Sequence, residues 1–407
     1  MKKILCFILA FSLIIVQVFS IPVISVEADE SFEAALGLFD RVGSDNEYYY
    51  NNLLQNGYQK ALYNGLVNAY KLHGEEYVKP KICLKFNFKN TNIDTQEMLD
   101  SFSNELNFNR VWNAFVYDNP QLFWLSESRI NLNSDGRDCY VEVEITSIGE
   151  YKESPNKLLQ DYREFNSKVK EIVDVAAGSS DYDKLVRFNT YLIDNNEYNT
   201  SIDLTTAILR LPNCAVSAVL SKYSPVCQGY ATAFKIFCDL SGIDCILVLG
   251  SGISLQDMRV EAHAWNYVKL GGDWYAVDAT WNDTPVVERR QNYFLVGSET
   301  IVEPLWENVG KFRDTHIVSP MFDNDDFYPE LSRLKYTSVG DINQDGIVNS
   351  VDVIYLASFL ANWKDYRALD QKLLDVNKDG FVDPLDLIVL SRFVAGWQGY
   401  SVLPHIS

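Results

Sequence analysis

The chain has 407 residues, of which 47% are hydrophobic, so it can bury the cores of two or three globular domains. Its 35 basic and 55 acidic side chains give a formal net charge of −20 at pH 7. This charge argues against nucleic acid or an anionic membrane as a partner, because both repel an acidic protein. The same acidity suits a protein that binds cations.

The chain begins with a short basic stretch, and an apolar run over residues 4–19 follows it. This arrangement is typical of a secretory signal peptide, and small residues that end at Ala28 offer a cleavage site. We therefore predict a signal peptide over residues 1–28, a secreted mature protein, and no membrane association after cleavage. A retained membrane anchor is the alternative, which Pro22 disfavours because a spanning helix needs about 20 apolar residues.

Residues 29–150 are predicted to form an N-terminal α+β accessory region. Apolar residues recur there at helical spacing in three stretches and follow a strand-like pattern in two others. The predicted helices cover residues 31–39, 48–72 and 96–117, and the predicted strands cover residues 82–88 and 139–145. Two further helices are expected over residues 151–175 and from about residue 181 through Tyr191.

A helix is predicted to begin close to Cys227. Apolar residues recur from Tyr230 to Leu240 on one helix face, and Ser-Gly then ends the pattern. Cys227 therefore lies in the first turn, where backbone N–H groups and the positive end of the helix dipole favour a thiolate. A buried structural cysteine is the alternative interpretation, because free cysteines are among the most buried residues.

Downstream, two β-rich runs separated by Gly-Gly predict a hairpin with a tight turn. If Leu270 pairs with Asp273, then His263 and Asp278 lie on one face as diagonal cross-strand neighbours. An acid in this position can orient an imidazole, and an oriented imidazole can activate a thiol. The pattern therefore predicts a catalytic triad of Cys227, His263 and Asp278.

These residues resemble the bacterial transglutaminase-like family, a branch of the papain-like cysteine enzymes. The resemblance rests on Cys-Gln-Gly-Tyr at residues 227–230, His-Ala-Trp-Asn at residues 263–266 and Trp-Tyr-Ala-Val-Asp-Ala-Thr-Trp at residues 274–281. It implies an α+β fold with a papain-like catalytic domain over residues 151–310. It also implies acyl transfer or hydrolysis at peptide or glutamine carboxamide groups of a protein substrate, with no cofactor in the catalytic core.

Residues 311–338 are predicted to be a linker between the catalytic domain and a C-terminal module. The stretch contains prolines and an acidic patch at residues 323–326, which favour irregular structure. Phe322 and Phe327 indicate that the linker is not fully disordered.

The C-terminal part contains an internal repeat, because residues 341–352 recur as residues 375–386, 34 positions later (375 − 341). Both copies have oxygen-bearing side chains at loop positions 1, 3, 5, 9 and 12 and Gly at position 6. This is the pattern of an EF-hand-like calcium loop, in which position 7 contributes a backbone carbonyl. We therefore predict two Ca²⁺ ions. The predicted ligands are Asp341, Asn343, Asp345, Ile347, Asn349 and Asp352 in the first loop, and Asp375, Asn377, Asp379, Phe381, Asp383 and Asp386 in the second.

The repeat resembles a type I dockerin over residues 339–400, with a helix predicted after each loop, at residues 352–363 and 386–397. The resemblance implies a small all-α module that binds a cohesin module of a scaffold protein, as in a cellulosome. It also implies an extracellular location, at the cell surface or in the cellulosome. Loop positions 10 and 11 differ between the copies, Ser-Val in one and Pro-Leu in the other, which leaves the matching cohesin open.

Two other functions remain open. The chain could be a non-catalytic binding or structural component of a cellulosome, although an intact triad argues against this. It could also be a carbohydrate-active enzyme in polysaccharide degradation, which is suggested only by the enzymes that commonly carry dockerins. The sequence identifies no pair of carboxylates for glycoside hydrolysis.

Overall fold

The computed structural model describes residues 47–201, 211–254, 258–286, 289–302, 310–322, 324–337, 339–343, 348–367, 369, 371–400 and 403. The predicted signal peptide, the predicted helix over residues 31–39, and the calcium-loop residues Asp345 and Ile347 lie outside these residues. The described chain combines helices with antiparallel sheets, so the predicted α+β class is confirmed.

The helices in chain order are α1 (Tyr48–Leu53), α2 (Gly57–His73), α3 (Gln96–Leu106), α4 (Phe108–Asp118), α5 (Gly149–Lys152), α6 (Pro155–Ala176), α7 (Asp181–Asn195), α8 (Ala215–Leu220), α9 (Cys227–Leu240), α10 (Ala279–Asn282), α11 (Phe312–Thr315), α12 (Ser350–Leu360), α13 (Gln371–Leu374) and α14 (Pro384–Val394). The strands are β1 (Lys81–Phe88), β2 (Leu125–Ser134), β3 (Cys139–Ser147), β4 (Cys245–Ile253), β5 (Val260–Leu270), β6 (Asp273–Val277), β7 (Ile301–Val302), β8 (Gly310–Lys311) and β9 (His316–Val318).

Two long helices predicted in the N-terminal region are each broken once. The first is divided into α1 and α2, and the side chain of Asn56 caps α2 by accepting the backbone N–H of Gln59 at 3.0 Å. The second is divided at Asn107, whose φ of 39° ends α3 in a left-handed conformation. Asn107 also accepts the N–H of Arg110, so one asparagine ends α3 and caps α4.

The N-terminal sheet has the strand order β1-β3-β2, and its middle strand buries every second residue. Val141 and Val143 are fully buried there, which follows from the alternation of apolar and polar residues. The sequence pattern predicted β1 and β3 but not β2. The side chains of β2 alternate only between half-buried and exposed, because β2 forms an edge of the sheet.

The second sheet has the order β6-β5-β4-β9 and contains the predicted hairpin. Leu270 pairs with Asp273, and the pairing continues without a bulge to Asn266 opposite Val277, so the predicted register is confirmed. The two turn glycines have φ values of 63° and 98°, as a primed hairpin turn requires. Helix α9 packs against β5 and β4 and buries Phe234 in the core.

One hydrophobic core joins the predicted accessory region to the predicted catalytic region. It includes Trp124 and Tyr49 from the first and Phe234 and Trp265 from the second. The hydroxyl of Tyr49 donates a hydrogen bond to the backbone carbonyl of Leu247 at 2.5 Å, which ties α1 to β4. The hydrophobic core is therefore continuous across the boundary that was predicted at residue 150.

The stretch predicted as a linker, residues 311–338, is ordered where the structure describes it, and here the prediction is corrected. Strand β9 pairs with β4, and the side chains of Phe312, Met321 and Phe327 are all buried. The stretch lacks helical or strand periodicity, because its order comes from long-range packing and not from a repeating pattern. Without a periodic pattern, prolines and acidic residues in a packed stretch look the same in the sequence as those of a flexible linker.

The C-terminal module has a small core of its own, formed by Ile342, Leu356, Leu374, Val376, Val389 and Leu390. Helices α12 and α14 begin two residues before the predicted starts, because the residues that cap them stand at loop position 9. Both helices also end three residues before the predicted ends. Within the described part of the chain, no helix combines the length and apolar character that crossing a membrane requires.

Candidate active site

Cys227 is the first residue of α9, as the helix pattern predicts. Its side chain is almost buried, and it packs with Ala231, Leu247 and Ala264. Tyr117 from the N-terminal region also packs against this cluster. Two residues further along, a Cβ at Gly229 would meet the carbonyl oxygen of Pro212 at 2.5 Å, so only glycine allows the loop to approach this helix start.

His263 lies in β5 and Asp278 lies at the N-cap of α10, directly after β6. His263 Nε2 is 2.8 Å from Asp278 Oδ2, and both side chains are buried. Asp278 Oδ1 accepts the backbone N–H groups of Thr280 at 2.9 Å and Trp281 at 3.1 Å. Cys227 also acts on His263, because a side-chain interaction with its thiol contributes to the raised pKa of the imidazole. Because Asp278 occupies Nε2, Nδ1 is the ring nitrogen left for the thiol.

His263 and Asp278 determine each other's charge. Burial alone would lower the pKa of His263, but the carboxylate of Asp278 and the side-chain interaction with Cys227 outweigh burial and raise that pKa to about 10. Burial would raise the pKa of Asp278, but its imidazole partners hold that pKa well below the usual range. At neutral pH the buried pair is therefore an imidazolium and a carboxylate.

Aromatic side chains surround the imidazole of His263. The ring centroid of Trp281 lies 5.3 Å from it, and that of Trp265 lies 5.8 Å from it at an interplanar angle of 27°. On the neighbouring strand, a Cβ at Gly252 would lie 3.0 Å from Trp281 and 3.3 Å from His263. Close packing therefore limits the ring to one orientation and keeps the surroundings of the ion pair apolar.

His316 is a further residue of the site, and sequence reasoning missed it. It lies in β9, and its Nε2 is 3.1 Å from the same oxygen, Asp278 Oδ2, that His263 contacts. The residue falls in the stretch predicted as a linker, so nothing in the local pattern pointed to it. The one feature of the sequence that could have pointed to His316 is the rarity of histidine, since the chain has four histidines in all.

Within the described residues, one group of three potential metal-ligating side chains has its ligand atoms within 4.8 Å of one another, namely His263, Asp278 and His316. Two ligands of a tetrahedral zinc ion, at about 2.1 Å from the metal, would be about 3.4 Å apart. The observed N···O separations of 2.8 and 3.1 Å are shorter and are those of hydrogen bonds. We therefore describe the group as a hydrogen-bonded cluster.

The second predicted calcium loop is described throughout. Asp375 at position 1 accepts the backbone N–H groups of Asp379 at 3.1 Å and Gly380 at 3.0 Å, which closes the loop. Gly380 at position 6 has a φ of 90° with open space beside it. Asp386 at position 12 is fully buried and also accepts backbone N–H groups of the loop, with the Val376 N–H at 2.8 Å.

The first loop is described only at its two ends. Asp352 at position 12 accepts the N–H groups of Ile342 at 2.7 Å and Asn343 at 3.1 Å, as Asp386 does for the second loop. Asn349 at position 9 accepts the N–H of Val351, so it caps α12. The oxygen-rich side chains of both loops fit Ca²⁺, which prefers carboxylate, amide and carbonyl oxygens.

An α+β domain in which a cysteine at a helix start meets a strand histidine and an aspartate has the arrangement of papain-like cysteine enzymes. Comparison with protein families agrees. Residues 169–279 match the model of the transglutaminase-like superfamily, and residues 339–395 match the model of the type I dockerin domain. The chain therefore contains a transglutaminase-like domain and a type I dockerin domain.

Two curated relatives match a short part of the chain. The human Kyphoscoliosis peptidase is 41% identical over 61 residues, which is 14% of this chain and 9% of that protein. The Mus musculus Kyphoscoliosis peptidase is 39% identical over 61 residues, with the same shares of the two chains. This chain thus spans less than a tenth of the length of these relatives.

Two solved structures are also similar. The crystal structure of a TGase is 14% identical, with a TM-score of 0.25, and the match covers 50% of this chain and 52% of that one. A crystal structure from Cytophaga hutchinsonii, described as a proposed cysteine protease, is 15% identical, with a TM-score of 0.22. That match covers 38% of this chain and 62% of the other.

Proposed function

We propose that this protein is an exported cysteine enzyme that transfers or hydrolyses acyl groups at peptide or glutamine carboxamide bonds. We propose further that its dockerin attaches it to a cohesin of an extracellular scaffold. The observation that carries the enzymatic proposal is the 2.8 Å hydrogen bond between His263 and Asp278. Cys227 stands at the start of α9 and contributes to the raised pKa of the same imidazole. A merely structural cysteine does not need a charged, buried histidine–aspartate pair beside it.

The proposed reaction has two steps. The Cys227 thiolate attacks the carbonyl carbon of the substrate, and backbone N–H groups at the start of α9 stabilise the oxyanion. The C–N bond then breaks, and the His263 imidazolium donates its proton to the departing amine, which leaves a thioester on Cys227. In the second step His263 removes a proton from water or from an acceptor amine, which attacks the thioester and releases the thiolate.

Asp278 acts on His263 and does not touch the substrate. Its carboxylate stabilises the imidazolium, and its hydrogen bond to Nε2 keeps Nδ1 directed at Cys227. The two acceptors give different products, because water gives hydrolysis and an amine gives cross-linking. The local identity to a relative named a peptidase supports hydrolysis, whereas the transglutaminase-like family model is compatible with either acceptor.

The enzymatic proposal is tested with full-length protein on a mixture of extracellular proteins. Wild type is compared with Cys227→Ala, and Cys238→Ala is the matched control because Cys238 is a buried cysteine of the same helix. We expect new peptide termini, deamidated glutamines or cross-links that depend on Cys227 and persist in the control. Products identical in wild type and Cys227→Ala would contradict the proposal and favour a non-catalytic component.

For the docking module, we propose that the six positions predicted in each loop hold one Ca²⁺ ion each. When bound, the ion supplies positive charge that offsets the repulsion between the acidic side chains of a loop. The match to the type I dockerin model supports cohesin as the partner, and therefore an extracellular, scaffold-bound location. We also propose cleavage of the signal peptide after residue 28 and a dockerin boundary at residue 339.

A further inference from the structure

We propose that His316 is a positioning residue of the same site, a neutral imidazole that donates a hydrogen bond to Asp278 and holds its carboxylate towards His263. The inference rests on the proposed roles of Cys227, His263 and Asp278. It adds a second histidine to the site, one that does not touch the substrate.

The contacts of His316 leave its imidazole little freedom. Nε2 lies 3.1 Å from Asp278 Oδ2, and Nδ1 lies 2.9 Å from the hydroxyl of Thr315. The side chain is fully buried. The ring stacks on Phe312 at a centroid distance of 4.2 Å and an interplanar angle of 17°. The ring centroid of Trp281 lies 4.5 Å away at an interplanar angle of 62°.

Two imidazoles therefore share one carboxylate oxygen, and charge decides their roles. Two buried imidazolium ions beside one carboxylate would repel each other, so one of the rings must be neutral. His263 has a second partner, Cys227, that stabilises its positive charge. The remaining polar partner of His316 is the uncharged hydroxyl of Thr315, so His316 is the neutral ring.

The pKa directions of the two histidines agree with this assignment. Burial lowers the pKa of His316 to about 4, because Asp278 offsets burial only in part and the charge of His263 adds to the lowering. The neutral ring must then carry its proton on Nε2, since Asp278 Oδ2 is an acceptor only. In this tautomer Nδ1 accepts the single proton of the Thr315 hydroxyl, which lies 2.9 Å away. The hydroxyl then gives up its alternative hydrogen bond, which is to the Phe312 carbonyl oxygen at 2.9 Å.

The backbone is shaped to bring this ring to Asp278. Strand β9 pairs with β4 at Gly250 and Gly252, and a Cβ at Gly250 would lie 2.1 Å from the carbonyl oxygen of Ile317. With His316 in place, Asp278 accepts two backbone N–H groups on Oδ1 and contacts two imidazoles on Oδ2. Four hydrogen bonds fix the plane of the carboxylate, and through it the orientation of His263.

The test compares His316→Phe with His316→Gln in the full-length protein. Phe retains an aromatic ring between Phe312 and Trp281 but has no N–H donor, whereas Gln can place an amide N–H close to the position of Nε2. The measurement is the rate of Cys227 alkylation by iodoacetamide between pH 5 and pH 9, followed by mass spectrometry. Circular dichroism checks the fold of each variant.

We expect His316→Phe to alkylate about tenfold more slowly than wild type at neutral pH, the order of effect that follows from the loss of one hydrogen bond to a charged group. Its pH profile should move towards that of His263→Ala. His316→Gln should remain within about threefold of wild type, because it keeps the hydrogen bond. Thr315→Val, which removes the partner of Nδ1, should slow alkylation to a smaller degree and in the same direction.

A wild-type rate in His316→Phe would overturn the inference, and so would an equal loss in the Phe and Gln variants, which would indicate that only packing matters. If His316→Phe does not fold, the Thr315→Val variant provides the test. A wild-type rate of Cys227 alkylation in Thr315→Val would also overturn the inference. Failure of the proposed function looks different. In that case the alkylation differences persist, but wild type forms no Cys227-dependent product.

Discussion

Asp278 in the catalytic region and Asp386 in the dockerin are the same chemical group at the same degree of burial, since both are fully buried. Asp386 accepts the backbone N–H groups of Val376, Asn377 and Asp383, all from its own loop. Asp278 accepts two backbone N–H groups and also contacts imidazoles that lie 15 and 38 residues away along the chain.

The difference between the two carboxylates lies in their partners. Backbone amides do not titrate near neutral pH, so Asp386 and its counterpart Asp352 hold a loop, the helix start within it and the proposed Ca²⁺ ion, but they control no proton transfer. Imidazoles titrate, so Asp278 controls the protonation of groups that can do chemistry. A buried aspartate therefore marks a reactive site only when its hydrogen-bond donors are themselves ionisable.

The largest effect is expected from Asp278→Asn. Asparagine caps a helix as well as aspartate does, so α10 should persist, but the charge that stabilises the His263 imidazolium is lost. We expect the turnover number for the Cys227-dependent product to fall roughly 10³–10⁴-fold, as for the equivalent change in a serine protease triad. Asp386→Asn is the matched control and should leave turnover unchanged. Equal turnover numbers in wild type and Asp278→Asn would contradict the proposed role of Asp278 in catalysis.

Removal of calcium should affect the dockerin alone. Excess chelator should weaken cohesin binding of the full-length protein by roughly 100-fold or more. Without the ion, the acidic side chains within each loop repel one another, and the small module loses its fold. Asp341→Ala and Asp375→Ala should each weaken calcium binding, and the double variant should lose the module's helical signal.

Cys227 alkylation should be unchanged in chelator, because the larger core contains none of the predicted calcium ligands. Retained cohesin affinity in chelator would contradict the calcium-loop assignment. Loss of thiol reactivity together with docking would instead show that the boundary near residue 338 is misplaced.

The histidine–aspartate pair should make stability depend on pH. The pKa of His263 is raised from about 6.5 in the unfolded chain to about 10 in the folded protein. The imidazolium contribution is therefore complete below about pH 6.5 and is lost as pH rises through about 10. We expect the free-energy difference of unfolding between wild type and His263→Gln to shrink by a few kcal/mol over this interval. A difference independent of pH would mean that His263 is neutral throughout.

Asp386→Ala should destabilise the dockerin by about 2 kcal/mol or more, because three backbone N–H groups and the capping box of α14 lose their acceptor and the loop loses a proposed calcium ligand. Hydrogen exchange of α14 in saturating calcium measures this loss. Asp365→Ala removes an exposed acidic side chain from the same module and is the control for charge alone. Equal protection of α14 in the two variants would show that the carboxylate does not hold the loop.

The smallest effect is expected from Tyr49→Phe, which removes the hydrogen bond to the Leu247 carbonyl and the contact with the Tyr328 hydroxyl at 3.1 Å. A loss of about 1 kcal/mol in the unfolding free energy would follow from one buried acceptor left unsatisfied. Tyr58→Phe, at a tyrosine that is 37% exposed, should change little. Equal effects in the two variants would indicate that the shared core does not depend on this contact.

Local patterns were enough to propose Cys227, His263 and Asp278. A helix start and a hairpin register are properties of a few neighbouring residues, and each has a fixed period that places side chains on a known face. The calcium loops were recognised for the same reason, since each is a single run of twelve residues. The breaks at residues 54–56 and at Asn107 were missed, because the helical period on both sides of each break is similar.

By itself, the sequence determined the class of the fold, the hairpin register and the two families, because periodicity and short motifs are local. Only the tertiary structure decided that Phe312, Met321 and Phe327 pack into the core, that Tyr117 of the N-terminal region contacts the Cys227 cluster, and that His316 contacts Asp278. Each of these depends on the pairing of segments far apart in the chain, and no local period encodes which distant strands or helices will pack together.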